Sequence, residues 1–179
     1  MDSKIKVELL YHTPEPEIAV ATGARICYSA LGASELNKNM TEEKAHKVLA
    51  TIMKSGHNST LEHASYTFAI EGVSRALTHQ LVRHRMASFN QQSQRYVKVK
   101  DGLDVIRPNT IAENEQASKI FDEAVKSAED AYQKLVDLEI PAEDARYVLP
   151  NAAESKIVVT MNIRELLHFF SLRCCNRAQ

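Results

Sequence analysis

Side chains suited to gripping an anion crowd one stretch of this chain, Arg83-His84-Arg85-Met86-Ala87-Ser88-Phe89-Asn90-Gln91-Gln92-Ser93-Gln94-Arg95. Guanidinium forks meet phosphate or carboxylate oxygens two bonds at a time, and serine and carboxamide groups add neutral donors beside them. The stretch reads as an anion-binding element. Taken by itself, a charge cluster of this kind also fits a solvated surface patch. A second group of candidates lies near the C-terminus, where Arg164 and His168 stand one helical turn apart and Arg173 follows. Taken alone, these are solvent-facing helix residues, and Arg146 reads the same way. His57, Glu62 and His63 invite a metal reading, but their spacing is not His-Glu-x-x-His and no third ligand accompanies them, so no metal site is expected.

The order Arg-His-Arg, seven residues, Ser, one residue, Arg is the more specific signal. It resembles the signature of the flavin-dependent thymidylate synthases (the ThyX family), which methylate deoxyuridine monophosphate (dUMP) using flavin, a reduced nicotinamide and methylene-tetrahydrofolate. The resemblance implies that Gln80, Arg83, Gln91, Ser93, Gln94 and Arg95 hold the nucleotide. It implies that Arg83, His84 and Arg85, with Asn90 and Gln91, bind flavin adenine dinucleotide (FAD), His84 also lining the folate side. Three satellite blocks extend it. His57-Asn58-Ser59-Thr60-Leu61-Glu62-His63 is similar to the family's first block, in which the His57 position serves the folate–flavin region, the Ser59 position touches flavin phosphate and the Glu62 position supports the pocket. Ala145-Arg146-Tyr147-Val148-Leu149-Pro150 matches the family's Ala-Arg-x-x-Leu-Pro, whose arginine reaches the nucleotide phosphate. The segment Asn162-Ile163-Arg164 through His168 and Arg173 to Asn176-Arg177-Ala178-Gln179 looks like the C-terminal active-site helix. There the positions of Asn162, Arg164 and His168 contact FAD, and that of Arg173, the catalytic residue, lies against the uracil ring and stabilises its N3-deprotonated form.

The residue types suit that chemistry. Methylating C5 of uracil requires the carbon to become nucleophilic, and a cationic fork beside the ring favours this by stabilising the charge that develops. An activated cysteine attacking C6 is the other route, and no cysteine lies in the signature. Ser93 has no evident base and orienting partner, so binding suits it better than nucleophilic attack. The resemblance further implies FAD as cofactor, NADPH and methylene-tetrahydrofolate as co-substrates, dTMP production by the de novo route, and a homotetramer with shared active sites. Two departures stand out. Gln91 occupies a position where many relatives have glutamate, which removes a carboxylate from the flavin–nucleotide junction. Relatives also continue through a further helical segment beyond the position of Gln179, so a truncated C-terminal tail is the expectation.

Elements that position these groups follow from pattern and caps. Ile5, Val7 and Leu9 alternate in a half-buried strand over Lys4–Leu10, and Pro16–Tyr28 reads as a helix despite Gly23. A helix from Thr41 to Gly56 has a capping hydroxyl, two early acids and a terminal glycine. Ala64–Val73 alternates as a strand, and Ser74 caps a helix to about Met86 that sets Gln80 and Arg83 or His84 on one face. A strand is expected over Ser93–Lys100 with a turn at Asp101-Gly102, one long helix over Thr110–Leu138, and a shorter one between Pro141 and Pro150. Lys156–Met161 reads as a strand, and Asn162 with Glu165 as a capping box opening a helix whose core stripe is Ile163, Leu166, Leu167 and Phe170. The class is α+β, helices packed against a mostly antiparallel sheet, in a single domain spanning residues 1–179.

Bulk properties narrow the function classes. The 179 residues are 44% hydrophobic and 25% charged, with no apolar run of bilayer length and no signal-peptide pattern, so no membrane contact and a cytoplasmic location are expected. A net charge of -1 and the lack of aromatic platforms beyond Phe89 and Tyr96 argue against nucleic-acid binding. A non-catalytic nucleotide- or RNA-binding module using the same arginines is the competing class. Cys27, Cys174 and Cys175 form neither a disulfide framework nor a zinc spacing.

Overall fold

The computed structural model describes residues 4–99 and 102–177. Its elements are β1 (Lys6–His12), α1 (Pro16–Arg25), α2 (Ala33–Asn39), α3 (Glu42–Ser55), β2 (Ser65–Ser74), α4 (Arg75–Leu81), β3 (Ala87–Gln91), α5 (Asn109–Ala112), α6 (Glu115–Asp137), α7 (Ala142–Ala145), β4 (Glu154–Asn162) and α8 (Ile163–Arg173). Short 3-10 turns cover Ile26–Tyr28, Asn58–His63 and Arg146–Val148. The strands form one antiparallel sheet in the order β1-β2-β4-β3, which makes the class α+β as expected. Register between β2 and β4 is fixed at both ends and by a side-chain pair. Ile163 N–H donates to Ala64 O at 2.9 Å, the Thr67 and Thr160 hydroxyls meet at 2.9 Å, and Arg75 N–H donates to Ala153 O at 2.9 Å.

The chain gathers into two compact units. One comprises the start of the chain to Val7, Ile70–Arg83 and Asn90–Val158; the other comprises Glu8–Ala69, His84–Phe89 and the residues from Val159 onward. In the first, α6 packs against α5 and α7, and Tyr132 on α6 is almost fully buried. In the second, Val20, Ala24, Ile52, Leu61 and Ala64 form a core that Val48, Leu49 and Ile163 cover, with α1 lying against α3 and the turn at Asn58–His63. Burial of such aliphatic groups, about 1.5–3 kcal/mol each, is what holds α1, α3 and that turn together.

Caps and glycines behave as their residue types dictate. The Thr41 hydroxyl accepts from Lys44 N–H, Gly56 ends α3 at φ 72, and the Ser74 hydroxyl accepts from Leu77 N–H at 3.1 Å. Gly72 sits in β2 at φ 67, and a Cβ there would overlap the backbone carbonyl of Lys4. Gly72→Ala should therefore destabilise the protein by about 2–4 kcal/mol, combining left-handed strain with overpacking. Thermal denaturation checks this, and a variant melting with the parent would mean that the Lys4 backbone yields freely.

Several expectations are corrected. β1 forms, two residues later than expected, but Ile5, Val7 and Leu9 are all exposed, so pairing rather than burial holds it. The helix after Ser74 ends at Leu81, short of Met86, with Val82 N–H still donating to Thr78 O and Arg83 N–H to Gln80 O in a closing turn. Over Ser93–Val99 there is no strand: Tyr96 and Val97 N–H groups donate back to Ser93 O in a tight turn, and β3 instead occupies Ala87–Gln91 inside the signature. Lys100 and Asp101, and with them the expected turn, lie outside the described residues, as do Ala178 and Gln179. The long helix is broken at Asn114, whose side chain accepts from Ala117 N–H and starts α6 afresh. Helix α2 was not anticipated. On α8, Ile163 and Leu166 of the expected stripe are half-buried, whereas Leu167 and Phe170 are exposed and Glu165 is buried in their stead.

Candidate active site

Helix α8 and the start of the signature meet within the second unit. Asn162 Oδ1 accepts from Glu165 N–H at 2.9 Å, which anchors the first turn of α8 at the end of β4. The Glu165 carboxylate does not close the capping box. It lies instead 3.2 Å from Nδ1 of His84, and both residues are buried. On the other side of the ring, Arg173 Nε–H donates to His84 Nε2 at 3.2 Å. His84 also meets Phe169 edge-on, ring centroids 5.1 Å apart, and His168 at 6.3 Å. Among the described residues Arg173 has no other hydrogen bond or ion pair, so its Nη groups remain available as donors. His84, His168 and Arg173, named separately as site candidates, thus lie together, with Glu165 beside them.

A cavity of about 760 Å³ opens in the same unit, lined among others by Lys47, His57, Ser59 and Arg164. Its size lies within the usual range for ligand pockets, roughly 300–1,000 Å³. His57 is held there by the close of α3: its N–H donates to Ile52 O at 3.2 Å, and its carbonyl accepts from the Thr60 hydroxyl at 3.1 Å. Arg164 Nη1 donates to Glu62 Oε1 at 2.5 Å, an ion pair that orients the guanidinium lining the cavity. The lining thus includes two cations, Arg164 paired with Glu62 and Lys47 paired with Glu43 at 2.6 Å, and the Ser59 hydroxyl, donor types that suit a diphosphate. Arg85 is exposed and has no partner among the described residues.

In the first unit the remaining candidates fall into two groups. Gln91, at the end of β3, donates through Nε2 to Thr78 Oγ1 at 2.8 Å and to Ser155 Oγ at 2.7 Å. Thr78 in turn donates its proton to Arg75 O at 3.0 Å, so it can only accept from Gln91, and the amide orientation follows. Arg95 pairs with Glu143 through Nε at 2.8 Å and Nη2 at 2.6 Å, while Arg146 Nε–H donates to Glu143 O at 3.1 Å. The hydrogen bond to Glu143, reinforced by its charge, holds the Arg95 guanidinium above its ordinary pKa. Burial, and then the charge of Arg146, push that of Arg75 down. Arg75 and Arg146 are thus like charges that disfavour one another, an effect that an anion bound near both would offset. Ser93 Oγ accepts from Arg95 N–H at 3.2 Å and shapes the turn. Gln80, Arg83, Asn90 and Gln94 carry side chains without partners among the described residues, Gln80, Arg83 and Asn90 being exposed.

Comparison with known proteins gives this arrangement a lineage. The profile of the family described as "Thymidylate synthase complementing protein" matches residues 8–179. The flavin-dependent thymidylate synthase of Geobacter sulfurreducens is 55% identical over 176 residues, which cover 98% of this chain and 76% of that protein. The chain belongs to the flavin-dependent thymidylate synthase family. Its relative of the same name from Clostridium tetani is 49% identical over 191 residues, covering 98% and 76% of the two chains. Among solved structures, the UMP/dUMP methylase PolB from Streptomyces cacaoi, bound with 5-Br dUMP, superposes with a TM-score of 0.80 at 30% identity, over 96% of this chain and 78% of that one. For a flavin-dependent thymidylate synthase, the residues that sequence reading overlooked are Arg75, Thr78, Glu143, Ser155 and Glu165. Only Glu165 gave a local signal, and that signal pointed to a helix cap. The others acquire a role solely through partners distant in sequence.

Proposed function

We propose that this protein methylates dUMP to dTMP, with FAD as cofactor and methylene-tetrahydrofolate and NADPH as co-substrates, in de novo dTMP synthesis in the cytoplasm. The observation that carries the reading is Arg173, held through Nε to His84 with its Nη groups unpaired, on a helix that the family signature also marks. The fit to FAD rests on the cavity: Arg164, already oriented by Glu62, Ser59 and Lys47 supply donors for its diphosphate, and His57 sits at the same wall. Asn162, His84, His168, Arg83, Arg85 and Asn90 complete the flavin set by resemblance. Bound flavin would supply the reduction and the handling of the one-carbon unit. The protein's own contribution is charge and orientation. Arg173 stabilises negative charge developing on the uracil ring, Arg95 and Arg146 receive the nucleotide phosphate beside Arg75, and Gln80, Arg83, Gln91, Ser93 and Gln94 fix its orientation.

The test is dTMP formation from dUMP and methylene-tetrahydrofolate coupled to dUMP-dependent oxidation of NADPH. Purified protein that carries no flavin absorbance and binds nucleotide without turnover would instead be the non-catalytic module. A thiol route is tested separately. Cys174 caps α8 and Cys175 Sγ faces Leu172 O, both exposed, and among the described residues no basic side chain bonds either sulfur. Cys174→Ser combined with Cys175→Ser should keep most of the activity, because the ring is activated by charge rather than by attack at C6. Loss of turnover in a folded, flavin-bound double variant would establish a cysteine mechanism in its place.

A further inference from the structure

A buried glutamate requires a reason, since glutamate is seldom buried without a partner. Glu165 is 8% exposed and His84 6% exposed, and the Glu165 carboxylate reaches no backbone cap: its recorded partner is Nδ1 of His84. The far side of that ring faces Arg173 Nε. A guanidinium nitrogen only donates, so His84 Nε2 must accept and can hold no proton; a carboxylate only accepts, so the ring proton lies on Nδ1 and points at Glu165. The two neighbours agree on one tautomer. Phe169, edge-on to the ring, leaves it little freedom to rotate.

We infer that Glu165 is a positioning residue for the methyl-transfer reaction: through a His84 ring locked with its proton on Nδ1, it fixes the Nε edge of Arg173 and so aims the remaining guanidinium donors at the substrate ring. The inference rests on the proposed role of Arg173. A carboxylate behind a histidine commonly sets both the tautomer and the orientation of the group in front, and removing it costs far more than a lost hydrogen bond. Glutamine at 165 preserves volume and hydrogen-bonding capacity but presents both a donor and an acceptor, so it satisfies any purely structural need while no longer dictating the tautomer. Aspartate keeps the acceptor-only character.

The decisive measurement is the protonation pattern of the His84 ring in the intact flavin-loaded protein, read by nitrogen–proton correlation spectroscopy with labelled histidine, alongside kcat and KM for dUMP. The parent is expected to carry the proton on Nδ1, and a proton on Nε2 overturns the assignment whatever the variants do. Glu165→Gln should place part of the population on Nε2 and lower kcat by roughly 10- to 100-fold with a smaller change in KM, its melting temperature and flavin content staying close to the parent's. Glu165→Asp should restore the Nδ1 pattern and much of the rate. In an Arg173→Ala background Glu165→Gln should cost nothing further, because its action passes through that arginine. A Glu165→Gln protein with the parental tautomer and kcat overturns the inference, as does full additivity with Arg173→Ala. If Arg173→Ala itself leaves turnover intact, the proposed role of Arg173 fails, while the ring spectrum still judges the Glu165–His84–Arg173 arrangement.

Discussion

Replacing Arg173 with alanine will lower dTMP formation by roughly 10²- to 10³-fold, the usual cost of deleting one preorganised donor to a developing anion. The loss should fall mainly on kcat, since charge on the uracil ring is largest when C5 becomes nucleophilic and smaller in the bound ground state. Flavin should stay bound. Arg164, Ser59 and Lys47 line a cavity whose wall residues are held by contacts independent of Arg173, such as the Arg164–Glu62 ion pair. Arg173→Lys should recover only part of the rate. An ammonium offers no planar fork, and its single nitrogen cannot both donate to His84 Nε2 and present two further donors in a fixed plane. Rapid-mix assays of dTMP formation with flavin content measured in parallel check this, and parental turnover in the alanine variant would remove Arg173 from the mechanism.

An Arg95→Ala chain should be as defective, by failing to hold the nucleotide phosphate, yet two defective chains together should work. The assembly expected from the family resemblance is a homotetramer in which Gln80, Arg83 and Arg173 reach a nucleotide from one subunit and Gln91 through Arg95, with Arg146, from another. A 20.1 kDa chain has little surface with which to enclose FAD, a pterin and a nucleotide alone. Re-annealing Arg173→Ala chains with Arg95→Ala chains then leaves about a quarter of the sites in a random mixture with both arginines, by the combinatorics of symmetric assemblies. Activity should rise from the level of either variant toward that fraction. Subunit exchange demonstrated by native mass spectrometry, with activity remaining at the level of the single variants, would place both arginines in one chain's site.

What the sequence disclosed of this fold was chiefly what short-range chemistry decides. Thr41, Ser74 and Asn162 cap the helices they were expected to cap, because a hydroxyl or amide acts on an N–H three residues away. Strands β2 and β4 were legible from their alternation. The strand in the signature was not. Ser88 and Asn90 make Ala87–Gln91 look like a polar loop, and its strand character comes from lying beside β4, where Gln92 N–H donates to Lys156 O at 2.9 Å. Helix α8 was placed correctly, and Ile163 and Leu166 of its expected stripe do turn inward, but the other half of the stripe does not. Counting apolar residues put Leu167 and Phe170 inward, whereas the buried face carries Glu165 because His84, far away in sequence, brings it a hydrogen-bond partner. Of the candidate site, motif spacing supplied the arginines and amides, and the groups that orient them, Glu165, Glu143, Thr78 and Ser155, emerged only with the fold.

Gln91 commits both of its donors within the fold. With both amide protons directed at the hydroxyls of Thr78 and Ser155, the side chain has one polar atom left to offer, an uncharged carbonyl oxygen. Any ligand group that meets it must bring its own proton. The family resemblance leads one to expect glutamate at this position, where attraction to a cationic partner would weaken with salt and vanish on protonation. If Gln91 meets a ligand as proposed, it selects by hydrogen-bond direction alone, so its share of ligand preference should hold steady from low to high ionic strength and through the pH range in which carboxylates titrate.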